Sequence, residues 1–251
     1  MNEDTKIKEK VWKIKGKVSY IDFFCIFAIV TKDIHNMKKL TVLFLMMLPL
    51  ATVAQTAYEM CEKGIECYDK HQYDEAEKWF LQGADRGDAR SMYHLGKLYE
   101  KVHFDVNKAF SWYMKSANKG YAPGLCQAGN FYKDGRGCEK SYSKAIEYYT
   151  KAADMGDAGG LYYLGNMYYR GYGVTLDYNK AHQLFLEAAA QNSLNAQYYL
   201  GEMYARGQGV KKDYAKAIEW FEKAIAHNDS FATSMAKGRI ADIRKKMAEG
   251  K

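Results

Sequence analysis

Short stretches of the sequence pair a serine with a lysine at the spacing that some β-lactam-reactive enzymes use for a nucleophile and its base. Ser141 precedes Lys144, and Ser234 precedes Lys237, so both match S-x-x-K. The pattern fixes only two positions, and the S-D-N and K-T-G motifs that complete such an active site do not occur in the sequence. Ser141 also lies where a helix is predicted to begin, which suits a capping hydroxyl. We therefore predict a protein without catalytic residues.

The histidines and cysteines show no metal-ligand spacing. C-x-x-C and H-E-x-x-H do not occur, so we expect neither a metal nor a cofactor. Cys61 and Cys67 lie six residues apart on one predicted helix and point away from each other. Cys126 and Cys138 lie in one predicted hairpin, where a disulfide is possible and two unpaired thiols are at least as good an interpretation.

The formal charge of +7 is concentrated at the beginning of the chain. Residues 1–54 contain nine of the 37 basic residues and five of the 30 acidic residues. The remainder has 28 basic and 25 acidic residues, a formal charge of +3. No basic run is interleaved with aromatic residues, so we expect no nucleic-acid partner.

Residues 37–54 have the pattern of a secretory signal peptide. Met37 is followed by two lysines, the apolar segment Leu40 to Leu50 and a small residue, Ala54, at the expected cleavage site. We expect cleavage after Ala54 and therefore an exported protein, periplasmic or extracellular, without a stable membrane span.

Residues 1–36 belong to neither the signal peptide nor the pattern that follows. Their apolar run, Phe23 to Val30, has eight residues and is too short to span a bilayer. We interpret this segment as an over-extended N-terminus. The alternative is an uncleaved anchor, which would make the protein a membrane-anchored assembly factor.

From about residue 57 onward the sequence repeats. The motif Leu164-Gly165 recurs as Leu200-Gly201, 36 residues later. From the repeat alanine to the next repeat glycine there are always 20 residues, whereas from glycine to alanine there are 12, 13, 16, 16 and 16. All length variation therefore falls in one loop, which predicts five helical hairpins over residues 55–229. The repeat glycines are Gly64, Gly96, Gly129, Gly165 and Gly201, and the alanines are Ala76, Ala109, Ala145, Ala181 and Ala217.

Each predicted hairpin has a single apolar stripe on each helix, so it needs neighbours on both sides. Gly165 and Ala181 are small at matching heights, which predicts a close approach of the two helices. Gly171 and Gly173 are interpreted as a helix cap and a tight turn rather than a phosphate loop, because no strand precedes them.

Residues 230–251 are predicted to form a C-terminal helix. Met235, Ile243 and Met247 are among its apolar residues, and several basic residues lie among them. An open solenoid end needs a cap, so we interpret this segment as a capping helix. A basic amphipathic helix on an anionic membrane is the alternative.

Two runs carry a resemblance to a known family. Residues 163–174 read YLGNMYYRGYGV and are followed by DYNKA at residues 177–181. The next repeat reads YLGEMY at residues 199–204, GQGV at 207–210 and DYAKA at 213–217. These runs resemble the Sel-one-like repeat (SLR) family, a subfamily of tetratricopeptide-like helical-repeat proteins, over about residues 57–228.

The resemblance implies an all-α right-handed solenoid of about five helix-turn-helix repeats that acts as a protein-binding scaffold. It implies no catalytic residues. Some cysteine-rich members of the family have been discussed as β-lactam-active, so an envelope enzyme of that type is the alternative function. The cysteine placement departs from the pattern of those members.

In tetratricopeptide-like solenoids the first helices of successive repeats line a concave groove. Asn amides, Arg and Tyr on such a surface suit an extended peptide or a chain terminus. The alternative is that the tyrosines complete the packing between repeats. The sequence indicates no oligomeric state. The candidate groove residues are Tyr93, Lys97, Asn130, Lys133, Tyr162, Asn166, Tyr169, Arg170, Tyr198, Glu202 and Arg206, with Cys126 at an equivalent position.

Overall fold

The computed structural model describes residues 56–225 and 230–249, so the predicted signal peptide and the segment before it lie outside the described residues. Within these two ranges the regular structure consists of eleven α-helices and no strand. The helices are α1 (56–69), α2 (Tyr73–Asp85), α3 (Ala89–Lys101), α4 (Val106–Asn118), α5 (Ala122–Asp134), α6 (Tyr142–Asp154), α7 (Ala158–Arg170), α8 (Tyr178–Ala190), α9 (Leu194–Arg206), α10 (Tyr214–Ile225) and α11 (Ser230–Ala248).

The helices α1 to α10 form five hairpins, numbered 1 to 5 from the N-terminal end. From α2 onward each helix packs against the next, and α3 also contacts α5, which in turn contacts α7. The loops inside the hairpins have three, four, seven, seven and seven residues, whereas the four connections between hairpins have three residues each. The predicted all-α solenoid, with its length variation in one loop, is confirmed.

Each hairpin closes through an aromatic ring on the second helix that lies against the repeat glycine on the first. A Cβ atom on Gly165 would lie 2.8 Å from Cε1 of Phe185, whose side chain is fully buried. Ala181 was expected opposite this glycine, but the ring of Phe185 occupies that space. The same contact joins Gly64 to Phe80, Gly96 to Tyr113, Gly129 to Tyr149 and Gly201 to Phe221.

The seven-residue loops use their glycines as the sequence predicts. Gly171 ends α7 in the left-handed conformation (φ +67°), and its N–H donates to the carbonyl of Met167. Gly173 (φ +70°) adds a contact that the sequence did not reveal, because a Cβ atom there would lie 2.5 Å from Cβ of Tyr142 in the preceding hairpin. The loop therefore also fixes the distance between neighbouring hairpins.

The last helix, α11, packs on α9 and α10. Its buried stripe is Ala236, Ile240 and Ile243, at helical spacings of four and three. Met235 and Met247, two of the apolar residues of this helix, lie off the stripe and are 43% and 51% exposed. None of the helices in the described ranges has both the length and the apolarity needed to cross a bilayer.

Candidate binding site on the first helices

A pocket of about 340 Å³ lies where the first helices of hairpins 3, 4 and 5 come together. Its aromatic lining consists of five tyrosines, Tyr149, Tyr162, Tyr163, Tyr172 and Tyr199. Its remaining lining is Met167 with four polar or charged residues, Asn130, Lys133, Asn166 and Arg170. We call this site the first-helix pocket. Its volume lies at the lower end of the range for ligand sites, about 300 to 1,000 Å³.

The aromatic side of the pocket is built by stacking between hairpins. In hairpins 2, 4 and 5 the residue two positions before the repeat glycine is aromatic and stacks on the core ring of the preceding hairpin. Tyr163 stacks on Tyr149 with ring centroids 5.1 Å apart, and Tyr199 stacks on Phe185 at 5.3 Å. Because Tyr149 and Phe185 are fully buried, they hold the two partly exposed rings in place.

Tyrosine hydroxyls supply neutral hydrogen-bonding groups to the pocket. The Tyr149 hydroxyl donates to Oδ1 of Asn130 at 2.7 Å. Burial raises the pKa of Tyr149, Tyr162 and Tyr163 above the usual value, so all three hydroxyls remain protonated at neutral pH.

The charge of the pocket comes from Lys133 and Arg170, and no carboxylate is among its lining residues. Nε of Arg170 donates to Oδ1 of Asn166 at 3.1 Å, and Nη2 donates to the Tyr199 hydroxyl at 2.8 Å. Nζ of Lys133 lies 2.5 Å from Oδ1 of the adjacent Asp134. Hydrogen bonds to two neutral acceptors, the Asn166 amide and the Tyr199 hydroxyl, therefore orient the Arg170 guanidinium.

Five of the eleven predicted groove residues line this one pocket: Asn130, Lys133, Tyr162, Asn166 and Arg170. Tyr162 also contacts the rings of Phe185 and Tyr199, so it takes part in packing as well.

Four other predicted groove residues make contacts outside the first-helix pocket. Tyr93 packs on the rings of Tyr113 and Tyr121, and Nζ of Lys97 lies 4.8 Å from the ring centre of Tyr68. Tyr198 packs on Phe221, and the Tyr169 hydroxyl donates to Oε1 of Gln208 at 2.7 Å.

Glu202 differs from the expectation that it faces a ligand, whereas Arg206 is exposed. Glu202 is only 3% exposed and forms ion pairs with Arg206 and Arg239. Arg239 comes from α11, so the capping helix supplies the partner that buries this carboxylate.

Sequence reasoning missed Tyr149, Tyr163, Tyr172 and Tyr199 as lining residues. A signal existed for two of them, because Tyr163 and Tyr199 lie 36 residues apart and each precedes a repeat glycine by two positions. Tyr149 occupies a core position in its own hairpin, and only the stacking between hairpins brings it to the pocket.

The structure resolves the alternatives for the thiols. Cys61, Cys67, Cys126 and Cys138 are all free. Cys126 is buried with Sγ 3.5 Å from Oδ2 of Asp157, and burial beside that carboxylate raises the pKa of its thiol above the usual range. Of the two interpretations left open for Cys126 and Cys138, the structure shows the unpaired thiols, and Cys126 is a poor nucleophile.

Ser141 has the predicted capping role. Its Oγ accepts from the backbone N–H of Lys144 at 3.3 Å, while Nζ of Lys144 lies 5.0 Å from the ring centre of Tyr132. In the part of the chain that the structure describes, no group of three His, Cys, Asp or Glu side chains is placed to hold a metal ion.

His94 occupies the stacking position in hairpin 2 and makes the stability of the fold sensitive to acid. Its ring stacks on Phe80 with ring centroids 5.2 Å apart. Burial lowers the pKa of His94 to about 4. The charges of Lys97 and Arg90 also lower the pKa, and those of Asp88 and Glu62 partly oppose the shift. The His94 imidazole binds a proton more tightly in the unfolded state than in the folded state. The stability that depends on neutral His94 is therefore fully present above about pH 6.5 and is lost as the pH falls toward 4.

His94→Tyr places at this position the residue type found at Tyr163 and Tyr199. Because the variant has no imidazole to protonate here, we expect its free energy of unfolding to fall by on the order of 2 kcal/mol less than that of the natural protein on acidification. Urea unfolding of both proteins from pH 7 to pH 4 measures the difference, while the carboxylates and His182 contribute equally to both. Parallel stability curves for the two proteins would contradict the assignment.

Comparison with known proteins agrees with this architecture. The Sel1 repeat family model matches five consecutive segments, residues 53–88, 89–121, 122–157, 158–193 and 194–229. Each segment holds one hairpin. A search of curated proteins found no match.

Several solved structures are similar to this chain. A Sel1 repeat protein from Oxalobacter formigenes is 31% identical, with a TM-score of 0.62, over 69% of this chain and 74% of that chain. A protective antigen of uropathogenic Escherichia coli strains, described as displaying an SLR fold, is 26% identical with a TM-score of 0.62, over 74% of this chain and 41% of that chain. A tetratricopeptide-repeat protein of Thermus thermophilus, 18% identical with a TM-score of 0.50 over 74% of this chain and 98% of that chain, shares the fold alone.

Proposed function

The chain belongs to the Sel1 repeat family, and on that premise we propose that it is an exported scaffold that holds a segment of a partner protein against its first helices. The observation that carries the proposal is the first-helix pocket. It combines five tyrosines with two cations and two asparagines on adjoining hairpins.

The chemistry of the pocket suits a peptide. Tyrosine offers rigid contact area at low entropic cost, and asparagine amides can donate to and accept from a peptide backbone. Tyr163 and Tyr199 are held by stacking on buried rings, so they lose little freedom when a partner binds. A volume of about 340 Å³ has room for a few side chains rather than a folded domain.

Export rests on the signal-peptide pattern of residues 37–54, which predicts a mature chain beginning at Gln55. The periplasm or the cell exterior is the compartment that this pattern implies. The solved relatives come from bacteria, which is consistent with a role in a bacterial envelope.

Site-specific photo-crosslinking in the native cell tests the proposal. A photoreactive phenylalanine derivative replaces Tyr172 at the rim of the pocket or, as a matched control, Leu186 on the second helix of the same hairpin. Both native side chains are 37% exposed, so the two probes meet solvent equally. We expect a defined protein crosslinked through position 172 and little or none through position 186, because only the first probe lies at the pocket.

Intact mass of the purified chain, measured in the same experiment, is expected to place its N-terminus at Gln55. Equal crosslinking from both positions, or none from position 172, would remove the case for a binding face on the first helices. A chain that retains residues 1–54 would instead favour the uncleaved anchor.

A further inference from the structure

Arg170 differs from its equivalent in the next hairpin by lacking an acidic partner. Arg206 follows its repeat glycine by five residues, as Arg170 does, and its Nη2 lies 2.7 Å from Oε2 of Glu202. Glu202 is replaced by Asn166 in hairpin 4, and the Asn166 carbonyl oxygen accepts from Arg170 at 3.1 Å. The amide keeps the orientation of the guanidinium but supplies no negative charge.

The other arginines show how unusual this is. Of the seven arginines in the described residues, five form ion pairs, namely Arg90, Arg136, Arg206, Arg239 and Arg244. The remaining two, Arg86 and Arg170, are both exposed. Arg86 donates to the carbonyl of Gln82 in α2, whereas Arg170 lines the first-helix pocket. Arg170 therefore combines a place in a pocket with the lack of an ionic partner among the described residues.

The surroundings of Arg170 favour a carboxylate. A guanidinium presents paired N–H donors that match the two oxygens of a carboxylate. Arg170 is exposed, so an incoming carboxylate can reach its guanidinium, and the hydrogen bonds from a guanidinium to a carboxylate are charge-assisted. Lys133 adds a second positive charge to the same pocket, and Asp134 offsets it in part.

We propose that Arg170 binds a carboxylate of the partner segment, in the role that Glu202 plays for Arg206 within the chain. This inference rests on the proposed function and names the chemistry of its ligand. The carboxylate is either the free C-terminus of the partner or an Asp or Glu side chain within it. The aromatic rings of Tyr162 and Tyr199 then contact the residue beside the acidic group.

A variant that supplies the missing carboxylate tests the inference directly. Asn166→Glu restores the Glu-to-Arg pair of hairpin 5 and neutralises Arg170 from within the chain. Asn179→Glu adds the same charge at an exposed position of α8 and is the matched control. Arg170→Gln removes the guanidinium and provides an independent variant.

The probe is a library of random octapeptides, displayed either at the free C-terminus of a carrier protein or inside one of its loops. Enriched peptides are synthesised with a free or an amidated end and with each acidic residue changed to its amide. Affinity is then measured by calorimetry. We expect Asn166→Glu and Arg170→Gln to weaken binding by about tenfold to a hundredfold, the effect of losing one charge-assisted hydrogen-bonded pair, and Asn179→Glu to leave it unchanged.

Loss of affinity on amidating the end identifies a chain terminus, and loss on changing Glu to Gln or Asp to Asn identifies a side chain. Either result supports the inference. Peptides that are enriched but bind equally well after every acid is removed overturn it and leave the proposed function standing, as does unchanged binding by Asn166→Glu and Arg170→Gln. Failure of both libraries to yield a binding peptide overturns the proposed peptide-binding function and this inference together.

Discussion

Gly165→Val is expected to destabilise the protein by about 3 kcal/mol or more, because the new side chain has no space beside Phe185. The Cβ atom alone would lie 2.8 Å from Cε1 of Phe185 and 3.3 Å from Cβ of Leu184. Phe185 is fully buried and cannot turn away into solvent. The two helices of hairpin 4 must therefore separate, which also loosens the stack that holds Tyr199.

Gly165→Ala is the graded form of the same test. Alanine favours a helix over glycine by about 1 kcal/mol, so a helix-propensity effect would stabilise the protein. We expect a net destabilisation of about 1 to 3 kcal/mol instead, because the contact with Phe185 outweighs the propensity.

Gly238→Ala is the matched control for both substitutions. Gly238 lies in the helix α11, and a Cβ atom there would meet nothing within 4 Å. This variant should be as stable as the natural protein or more stable by up to about 1 kcal/mol. Urea unfolding followed by circular dichroism measures all three, and equal midpoints for the valine variant and the natural protein would show that the ring does not constrain Gly165.

The repeat glycines illustrate what the sequence could predict. The later repeats have a period of 36 residues, and each repeat alanine precedes the next repeat glycine by 20 residues, as Ala181 precedes Gly201. These two spacings were enough to predict the number of hairpins and the position of the variable loop. The residue that contacts each repeat glycine was harder to predict, because Ala181 and Phe185 both lie on the buried stripe of α8. Only the rotation of α8 about its axis decides which of them meets Gly165.

The binding site was predictable in part for a similar reason. Asn166 and Arg170 lie on the exposed side of α7, where helical offset from Gly165 predicts them. Tyr163 and Tyr199 belong to the boundary between two hairpins, so their placement depends on how one hairpin stacks on the next. The prediction that Glu202 faces a ligand was wrong because its second ion-pair partner, Arg239, is 37 residues away in α11.

Glu202→Gln should destabilise the end of the solenoid rather than weaken the binding of a partner. The Glu202 side chain is 4% exposed and bridges Arg206 of its own helix to Arg239 of α11. Glutamine keeps the shape but removes the charge, which leaves the two arginines facing each other without the carboxylate between them. Breaking a buried ion pair costs about 3 to 5 kcal/mol, and we expect about 2 to 3 kcal/mol here because Arg206 is partly solvated.

Asp242→Asn is the control, since it removes the other acidic partner of Arg239. Asp242 lies 3.5 Å from Nη1 of Arg239 but is 63% exposed, so its loss should cost less than about 0.5 kcal/mol. Amide hydrogen exchange distinguishes the two variants by position. Glu202→Gln should speed exchange in α11, which packs on α9 and α10, while α3 and α4 keep their protection. Equal exchange in the two variants would mean that the buried pair does not hold the capping helix, and that the apolar stripe of Ala236, Ile240 and Ile243 is sufficient.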